Sequence, residues 1–204
     1  KAEHLNQALE LAKASKIALQ KIPGAELEKI STLVNPDGML GIGKIGSQTN
    51  KIAELKGQSL YLHRINDPGN LGTILRTAAW FGLDQILLSK GSVDPYNPKV
   101  IRAAMGGLFY IDIIRNVNFQ ELKASGRSKN QKIVAADMTG KNITRLSGIP
   151  ENFILCMGSE SHGLPDEIMS EADQIISIPK LGHGESLNLA ISAGIIIKDF
   201  MLSS

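Results

Sequence analysis

Three segments of the chain concentrate side chains able to do chemistry. The first is Arg64-Ile65-Asn66-Asp67-Pro68-Gly69-Asn70-Leu71-Gly72-Thr73-Ile74-Leu75-Arg76. The second is Gly158-Ser159-Glu160-Ser161-His162-Gly163-Leu164-Pro165, and the third is Gly182-His183-Gly184-Glu185-Ser186-Leu187-Asn188. The second and third each follow an apolar run and each open into a helical pattern. Their glycines let backbone donors and acceptors come close to a bound molecule, and loops at the carboxyl ends of strands are where α/β sheets hold ligands. Neither loop has the G-x-x-x-x-G-K-[ST] spacing of a phosphate cradle, so something other than a nucleoside triphosphate is held.

Each segment also has a plainer reading. Asp67-Pro68-Gly69 turns the chain, and Asn70 is placed to cap the helix that follows. In that helix Leu71, Ile74, Leu75 and Ala78 form a buried face, while Gly72 and Arg76, four apart, share another. A helical Gly costs roughly 1 kcal/mol against Ala, so another backbone or a ligand comes close at Gly72; the alternative is a capped helix with a surface Arg76. Glu160 either faces a ligand or serves the positive end of the next helix. His162 is a lone loop histidine and stays outside the catalytic set. Ser186 reads as the cap of the last helix with Asn188 in its first turn, or both hydrogen-bond a substrate.

The elements that must position these residues follow from periodicity. His4–Gln20 reads as an amphipathic helix on Leu5, Ala8, Leu9 and Ala12. Met39–Ile45 reads as a short strand after the turn Asn35-Pro36-Asp37-Gly38, and Gly46–Gly57 as a polar linker with one helical turn. From Gln58 a regular alternation begins. Strands are expected at Ser59–Ile65, Gln85–Ser89, Phe109–Ile114, Lys132–Asp137, Phe153–Met157 and Gln174–Ile178. Helices are expected at Leu71–Phe81, Pro98–Met105, Phe119–Ser125, from near Pro165, and at Leu187–Leu202. Strand–helix alternation predicts a mostly parallel sheet with helices on both faces.

Composition narrows the class. The chain has 204 residues, 43% of them hydrophobic, which suits one medium domain with a fragment of another. Its single cysteine, Cys156, lies in an apolar run and reads as a reduced core residue; this favours a cytoplasmic setting. No apolar run approaches the ~18 residues of a membrane span. The net charge of +2 argues neither for nor against nucleic acid. Arg127, Lys129 and Lys132 cluster, as do Lys141 and Arg145, either as solvated loops or as RNA contacts. His4, His63, His162 and His183 are scattered without metal-ligand spacing, so no metal is expected. The chain opens at Lys1 directly on a helical pattern, which implies a natural protein extending upstream.

The three segments, in this order and spacing, resemble the signature motifs of the SpoU/TrmH family of SPOUT-class RNA methyltransferases. The match is N-x-G-x-x-x-R at Asn70, Gly72 and Arg76; G-x-E-x-x-G at Gly158, Glu160 and Gly163; and I-P…S-L-N at Ile178, Pro179, Ser186, Leu187 and Asn188. It covers residues 58–204, which would be the catalytic domain. Residues 1–47 resemble the closing part of a ribosomal-protein-like RNA substrate-binding domain, joined by a linker at 48–57.

The resemblance implies a sheet ending in a deep trefoil knot, an exception to the rule that chains are unknotted. It implies transfer of a methyl group from S-adenosylmethionine to a ribose 2′-hydroxyl, leaving S-adenosylhomocysteine. The RNA would be ribosomal, with transfer RNA the alternative, and the enzyme a homodimer with its active site near the subunit interface. Implied cofactor contacts are Gly158, Ile178 and Leu187, with Met157, Glu160, Gly163 and Pro179 beside them. Implied catalytic residues are Arg76, Asn70, Glu160, Ser186 and Asn188. The resemblance gives Arg76 the role of activating the hydroxyl; a guanidinium with a pKa above about 12 rarely gives up its proton, so Arg76 is expected to orient phosphate and ribose, with proton abstraction as the alternative. A rival is a dinucleotide-dependent oxidoreductase: Gly41, Gly43 and Gly46 spell G-x-G-x-x-G with Asp67 ~20 residues on. Against it, the segment after Gly46 lacks the helical pattern the fingerprint requires.

Overall fold

The computed structural model describes residues 2–36, 38–46, 52, 55–145 and 148–202. They form two compact units, Lys1–Ser47 and Gln48–Ser204. In the first unit, α1 (Ala2–Ala14) stops well short of Gln20. The Lys16 N–H donates to Lys13 O at 3.1 Å and the Ile17 N–H to Ala12 O at 2.8 Å. With Lys16 at φ 54, this is a Schellman closure made without the usual glycine. Helix α2 (Gly24–Ile30) follows, and Leu27 is its buried residue. The expected strand at Met39–Ile45 does not form. A strand exists only through a partner, and this unit has none among its described residues.

The second unit alternates as the periodicity predicts. Its elements are β1 (Gln58–Leu62), α3 (Pro68–Phe81), β2 (Gln85–Ser89), α4 (Pro98–Ala104), β3 (Asp112–Val117), α5 (Phe119–Ser128), β4 (Lys132–Asn142), β5 (Phe153–Met157), α6 (Asp166–Met169), β6 (Gln174–Ser177) and α7 (Leu189–Leu202). The strands form one six-stranded sheet in the order β3-β2-β1-β5-β4-β6. All its pairings are parallel. Successive strand residues point to opposite faces, and both faces are covered. Leu60, Leu62, Ile86, Leu88, Val134, Phe153 and Leu155 pack with α3, α4 and α7. Tyr61, Leu87, Ile133, Ala135, Ile154 and Cys156 pack with α5 and α6 on the other side. Ile52 and Leu55, within the stretch read as a linker, are buried against this second face. Residues 47–51 and 53–54 lie outside the described residues.

Two boundaries differ from expectation for a physical reason. A single 3-10 turn at Gly107–Phe109 replaces the start of the expected strand at Phe109, and pairing begins only at Asp112. Strand β4 runs past Asp137 because it pairs with β6 twice across a register shift, ending Lys141 opposite Ile176. Gly140 permits this return, since a Cβ there would lie 2.5 Å from the Ile176 carbonyl carbon. Among the described residues no helix is long and apolar enough to cross a membrane.

Candidate active site

The first motif opens α3, but not as its residue types suggest. The Asp67 carboxylate accepts the Asn70 N–H at 2.7 Å, and Pro68 takes the first helical position. Asp67, not Asn70, is therefore the cap; the Asp-Pro pair was the signal for it. Relieved of capping, Asn70 turns its side-chain amide toward the other two motifs. Its Nδ2 donates to Glu160 Oε1, and its Oδ1 accepts from Asn188 Nδ2 at 3.0 Å.

Asn188 is likewise the cap that Ser186 was expected to be. Its Oδ1 accepts the Ala190 N–H at 2.9 Å and the Ile191 N–H at 3.3 Å, so α7 starts at Leu189. The direction of every link is then forced. Capping commits the Asn188 oxygen to α7 and leaves its Nδ2 to donate. Asn70 must answer with its oxygen, which turns its own Nδ2 outward. The only suitable end for that chain is an acceptor, and an ionised carboxylate is acceptor-only. One residue from each motif, 90 and 118 positions apart, is thus locked into one polar chain.

The loop carrying Glu160 is folded onto itself. The Gly163 N–H donates to Ser159 O at 2.8 Å, and Gly163 sits at φ 63. A Cβ on Gly158 would lie 2.0 Å from both the carbonyl carbon and oxygen of Gly163. Met157, buried at the end of β5, accepts the His63 N–H at 2.8 Å, and Leu164 tucks into the second core. The loop after β6 is built differently. Ile178 and Pro179 are half-buried, and the chain from Lys180 to Asn188 is exposed, Leu187 included. Among the described residues no hydrogen bond reaches Pro179–Leu187, and Ser186 is exposed with no hydrogen-bond partner there.

Arg76 lies exposed on α3 and has no ion-pair partner among the described residues. The 3-10 turn presses on its backbone: a Cβ on Gly107 would lie 2.9 Å from Arg76 Cα. Gly72 answers the question its position raised. A Cβ there would lie 2.4 Å from Ala103 Cβ and 2.7 Å from Val100 O, so the close neighbour is α4 and not a ligand.

Electrostatics separate the working groups from the inert ones. Burial pushes the Cys156 thiol up, which leaves it unreactive in the core. His63, at the end of β1, is held below its ordinary value by burial and by the charge of Arg64. Its Nδ1 lies 3.3 Å from the Tyr61 hydroxyl, whose own pKa is raised by burial. The basic cluster is structural. Arg127 binds both oxygens of Asp173 at 2.7 and 2.6 Å, Lys132 approaches it at 3.7 Å, and Lys129 donates to Leu55 O at 2.8 Å. Asp173, just before β6, was the signal for this. Arg145 carries no description of its side chain.

The glycine pattern at Gly41, Gly43 and Gly46 lacks the structure of a dinucleotide fingerprint. A Cβ on any of the three would meet nothing within 4 Å, and Asp67 is spent on capping.

Comparison with known proteins agrees with the motif geometry. Residues 57–198 match the model of the SpoU rRNA Methylase family. The chain belongs to that family. Among SpoU relatives, the Bacillus subtilis 23S rRNA (guanosine(2553)-2'-O)-methyltransferase RlmP is 35% identical over 68% of this chain and 55% of its own length. The Danio rerio mitochondrial rRNA methyltransferase 3A is 30% identical over 94% of this chain and 55% of its own. The AdoMet-bound rRNA methyltransferase from Sinorhizobium meliloti superposes with a TM-score of 0.68 at 34% identity, covering 73% of this chain and 59% of that one. The chain spans about half the length of the curated SpoU relatives it matches.

Proposed function

We propose that this chain is an S-adenosylmethionine-dependent methyltransferase acting on a ribose 2′-hydroxyl, with ribosomal RNA as substrate. The observation that carries the reading is the chain Asn188–Asn70–Glu160, which joins all three motifs, with Arg76 exposed six residues further along α3. The ribosomal substrate is the one named for the Bacillus subtilis and Danio rerio relatives.

The residues present suit the cofactor. The turns at Gly158–Gly163 and Ile178–Leu187 offer backbone groups at the carboxyl ends of β5 and β6, and the second turn's carry no hydrogen bond among the described residues. Met157, Gly158, Glu160, Gly163, Ile178, Pro179 and Leu187 would hold it. When bound, S-adenosylmethionine supplies an electrophilic methyl on a sulfonium sulfur. Arg76, a fixed planar cation, orients a phosphate and the adjoining ribose without giving up its proton. Asn70, fixed by Glu160 and Asn188, holds the first turn of α3 in register with both loops. Ser186, free of internal bonds, faces the substrate. Positioning of this kind supplies up to roughly 7–11 kcal/mol of a barrier in well-oriented reactions.

Four further features accompany the reading. The division of the chain at Ser47 supports taking residues 1–47 as part of an RNA substrate-binding domain and 58–204 as the catalytic domain, while 48–57, expected as a linker, falls in the same compact unit as the latter. The sheet order, with β5 between β1 and β4 and β6 outside them, is compatible with a trefoil knot. A homodimer would cover the exposed Trp80, Ile191 and Leu202 of α3 and α7, and a buried reduced cysteine suits the cytoplasm.

Calorimetric titration with S-adenosylhomocysteine, followed by tritium transfer to an unmodified large-subunit ribosomal RNA transcript, tests the proposal. The chain should bind the cofactor product and place tritium on a 2′-oxygen. Arg76→Lys should keep cofactor binding and lose transfer on the order of 100-fold, as the planar fork is lost. Absence of cofactor binding overturns the reading, and near-normal turnover of Arg76→Lys overturns the role of the fork.

A further inference from the structure

The two edges of the sheet treat their cations in opposite ways. Along the amino edge and α5, positive side chains are occupied. Lys56 pairs with Asp112 at 2.7 Å, Lys123 with Glu171 at 2.7 Å, and Arg127 and Lys132 share Asp173. All strands are parallel, so the opposite edge gathers their carboxyl ends: Arg64 after β1, Lys90 after β2, Lys141 at the end of β4 and Lys180 after β6. All four are exposed, and none has an ion-pair or hydrogen-bond partner for its charged group among the described residues.

Of the acids at this edge, Asp94 pairs with Arg115, Asp67 caps α3, Asp137 holds Thr139 in a local turn, Glu160 holds Asn70, and Glu185 lies exposed in the loop after β6. Among the described residues none of them pairs with Arg64, Lys90, Lys141 or Lys180, so the unpaired cations lie on the edge that carries the three motifs, a pattern the net charge of +2 conceals.

Arg64 adds an independent observation. It adopts φ 50, a left-handed conformation that glycine takes without penalty. The strain is held by neighbours: the Arg64 N–H donates to Ser89 Oγ at 2.8 Å, and fully buried Ile65 accepts the Val93 N–H at 2.8 Å. A strained non-glycine backbone at a candidate site points to use of the side chain it presents.

We propose that this edge is the surface that receives the RNA backbone, with Arg64, Lys90, Lys141 and Lys180 as its phosphate contacts. The proposal rests on the methyltransferase reading and says where its substrate lies. From β2 to β6 the sheet order gives four strand spacings, about 19 Å at the usual strand separation, room for several consecutive phosphates. In this reading Arg76, exposed on α3, takes the phosphate nearest the reacting ribose.

The test uses the full chain and a fluorescein-labelled oligouridylate, titrated at several salt concentrations. For single strands each lost phosphate contact removes about 0.7 from the slope of log K against log salt. The triple variant Arg64→Gly, Lys90→Gln, Lys141→Gln should flatten the slope by about 2 and weaken binding on the order of 100-fold at 0.1 M salt. The KM for the ribosomal transcript should rise while kcat holds. Lys123→Gln, on α5, should leave affinity and slope unchanged. Arg64→Gly alone should raise Tm, by roughly 2–4 °C, while still weakening RNA binding, a combination a purely structural role does not produce. Single Lys90→Gln and Lys141→Gln variants serve if the triple fails to fold. An unchanged slope in variants that still bind S-adenosylhomocysteine and transfer methyl groups overturns this proposal and leaves the methyltransferase reading standing. Failure of the unsubstituted chain to bind S-adenosylhomocysteine overturns both.

Discussion

The loops that follow β5 and β6 look alike in sequence and are built on opposite principles. Gly158–Pro165 is closed on itself: Ser159 and Gly163 pair, Gly158 lies against the returning backbone, and Leu164 anchors the far end in the core. Pro179–Leu187 is exposed from Lys180 onward and carries no hydrogen bond among the described residues, being fixed where Ile178 packs and where Asn188 caps α7. The first presents a preformed surface. The second leaves its backbone groups unpaired among the described residues, and in the proposed reading a ligand would use them. A methyl donor held between them would meet one rigid wall and one that closes on it. The polar chain from Asn188 through Asn70 to Glu160 joins the end of the open loop to the closed one.

The largest effect should come from adding one methyl group to each loop. Gly158→Ala drives a Cβ to within 2.0 Å of backbone atoms that cannot retreat without breaking the Ser159–Gly163 pairing. A loss of about 1–3 kcal/mol in stability is expected, together with loss of S-adenosylhomocysteine binding by calorimetry. In Gly182→Ala the same methyl meets nothing within 4 Å, so stability should stay within about 0.5 kcal/mol. Equal costs in urea unfolding would show that the two loops are not built differently.

A second pair of substitutions sharpens the contrast at the end of the open loop. Asn188→Ala removes the acceptor for two N–H groups of α7 and the donor to Asn70. A cap of this kind contributes about 0.5–2 kcal/mol, and the variant should also transfer methyl groups more slowly. Ser186→Ala deletes a hydroxyl with no internal partner, so any loss should appear in turnover and not in the unfolding midpoint. A stability cost above about 1 kcal/mol for Ser186→Ala would place that hydroxyl in an anchored loop and break the comparison.

The layered sheet was legible because its central strands β1, β2 and β5 are buried on both faces and read as nearly continuous apolar runs. The motif residues were legible because their order and spacing together resemble the family's signature, where the chemistry of each segment alone left a plainer reading open. The caps were misread for a local reason. Asp67 and Asn70, like Ser186 and Asn188, offer two acceptors within three residues, and the sequence does not say which one the first turn selects. Packing reasons are tertiary and were hidden. Gly158 and Gly182 are indistinguishable until the backbone facing Gly158 is in place, and Gly72 is explained only by α4. The expected strand at Met39–Ile45 failed because alternation supplies one strand and pairing requires two. The basic cluster at Arg127, Lys129 and Lys132 found its meaning in Asp173, which is 46 residues from Arg127.

The smallest effect should lie at the amino edge, far from either loop, and depends on pH. Burial alone would raise the Asp173 pKa. Hydrogen bonds from Arg127 and the Ile133 N–H, with the charges of Arg127 and Lys132, outweigh it and hold the carboxyl below its ordinary 3.8. A carboxylate depressed in the folded state stabilises above its unfolded pKa, and that contribution fades as pH falls through the folded value. Asp173→Asn should therefore cost less than about 1 kcal/mol at pH 7, in keeping with a solvent-screened pair. The gap between variant and parent, read from urea midpoints, should narrow as the pH drops below 3.8. S-adenosylhomocysteine binding at pH 7 should be the same in both, since this carboxylate braces the edge opposite the site. A gap that stays constant from pH 7 into the acid range would mean the carboxylate is not selectively stabilised by folding, and a change in cofactor affinity would mean that the two edges are coupled through β6.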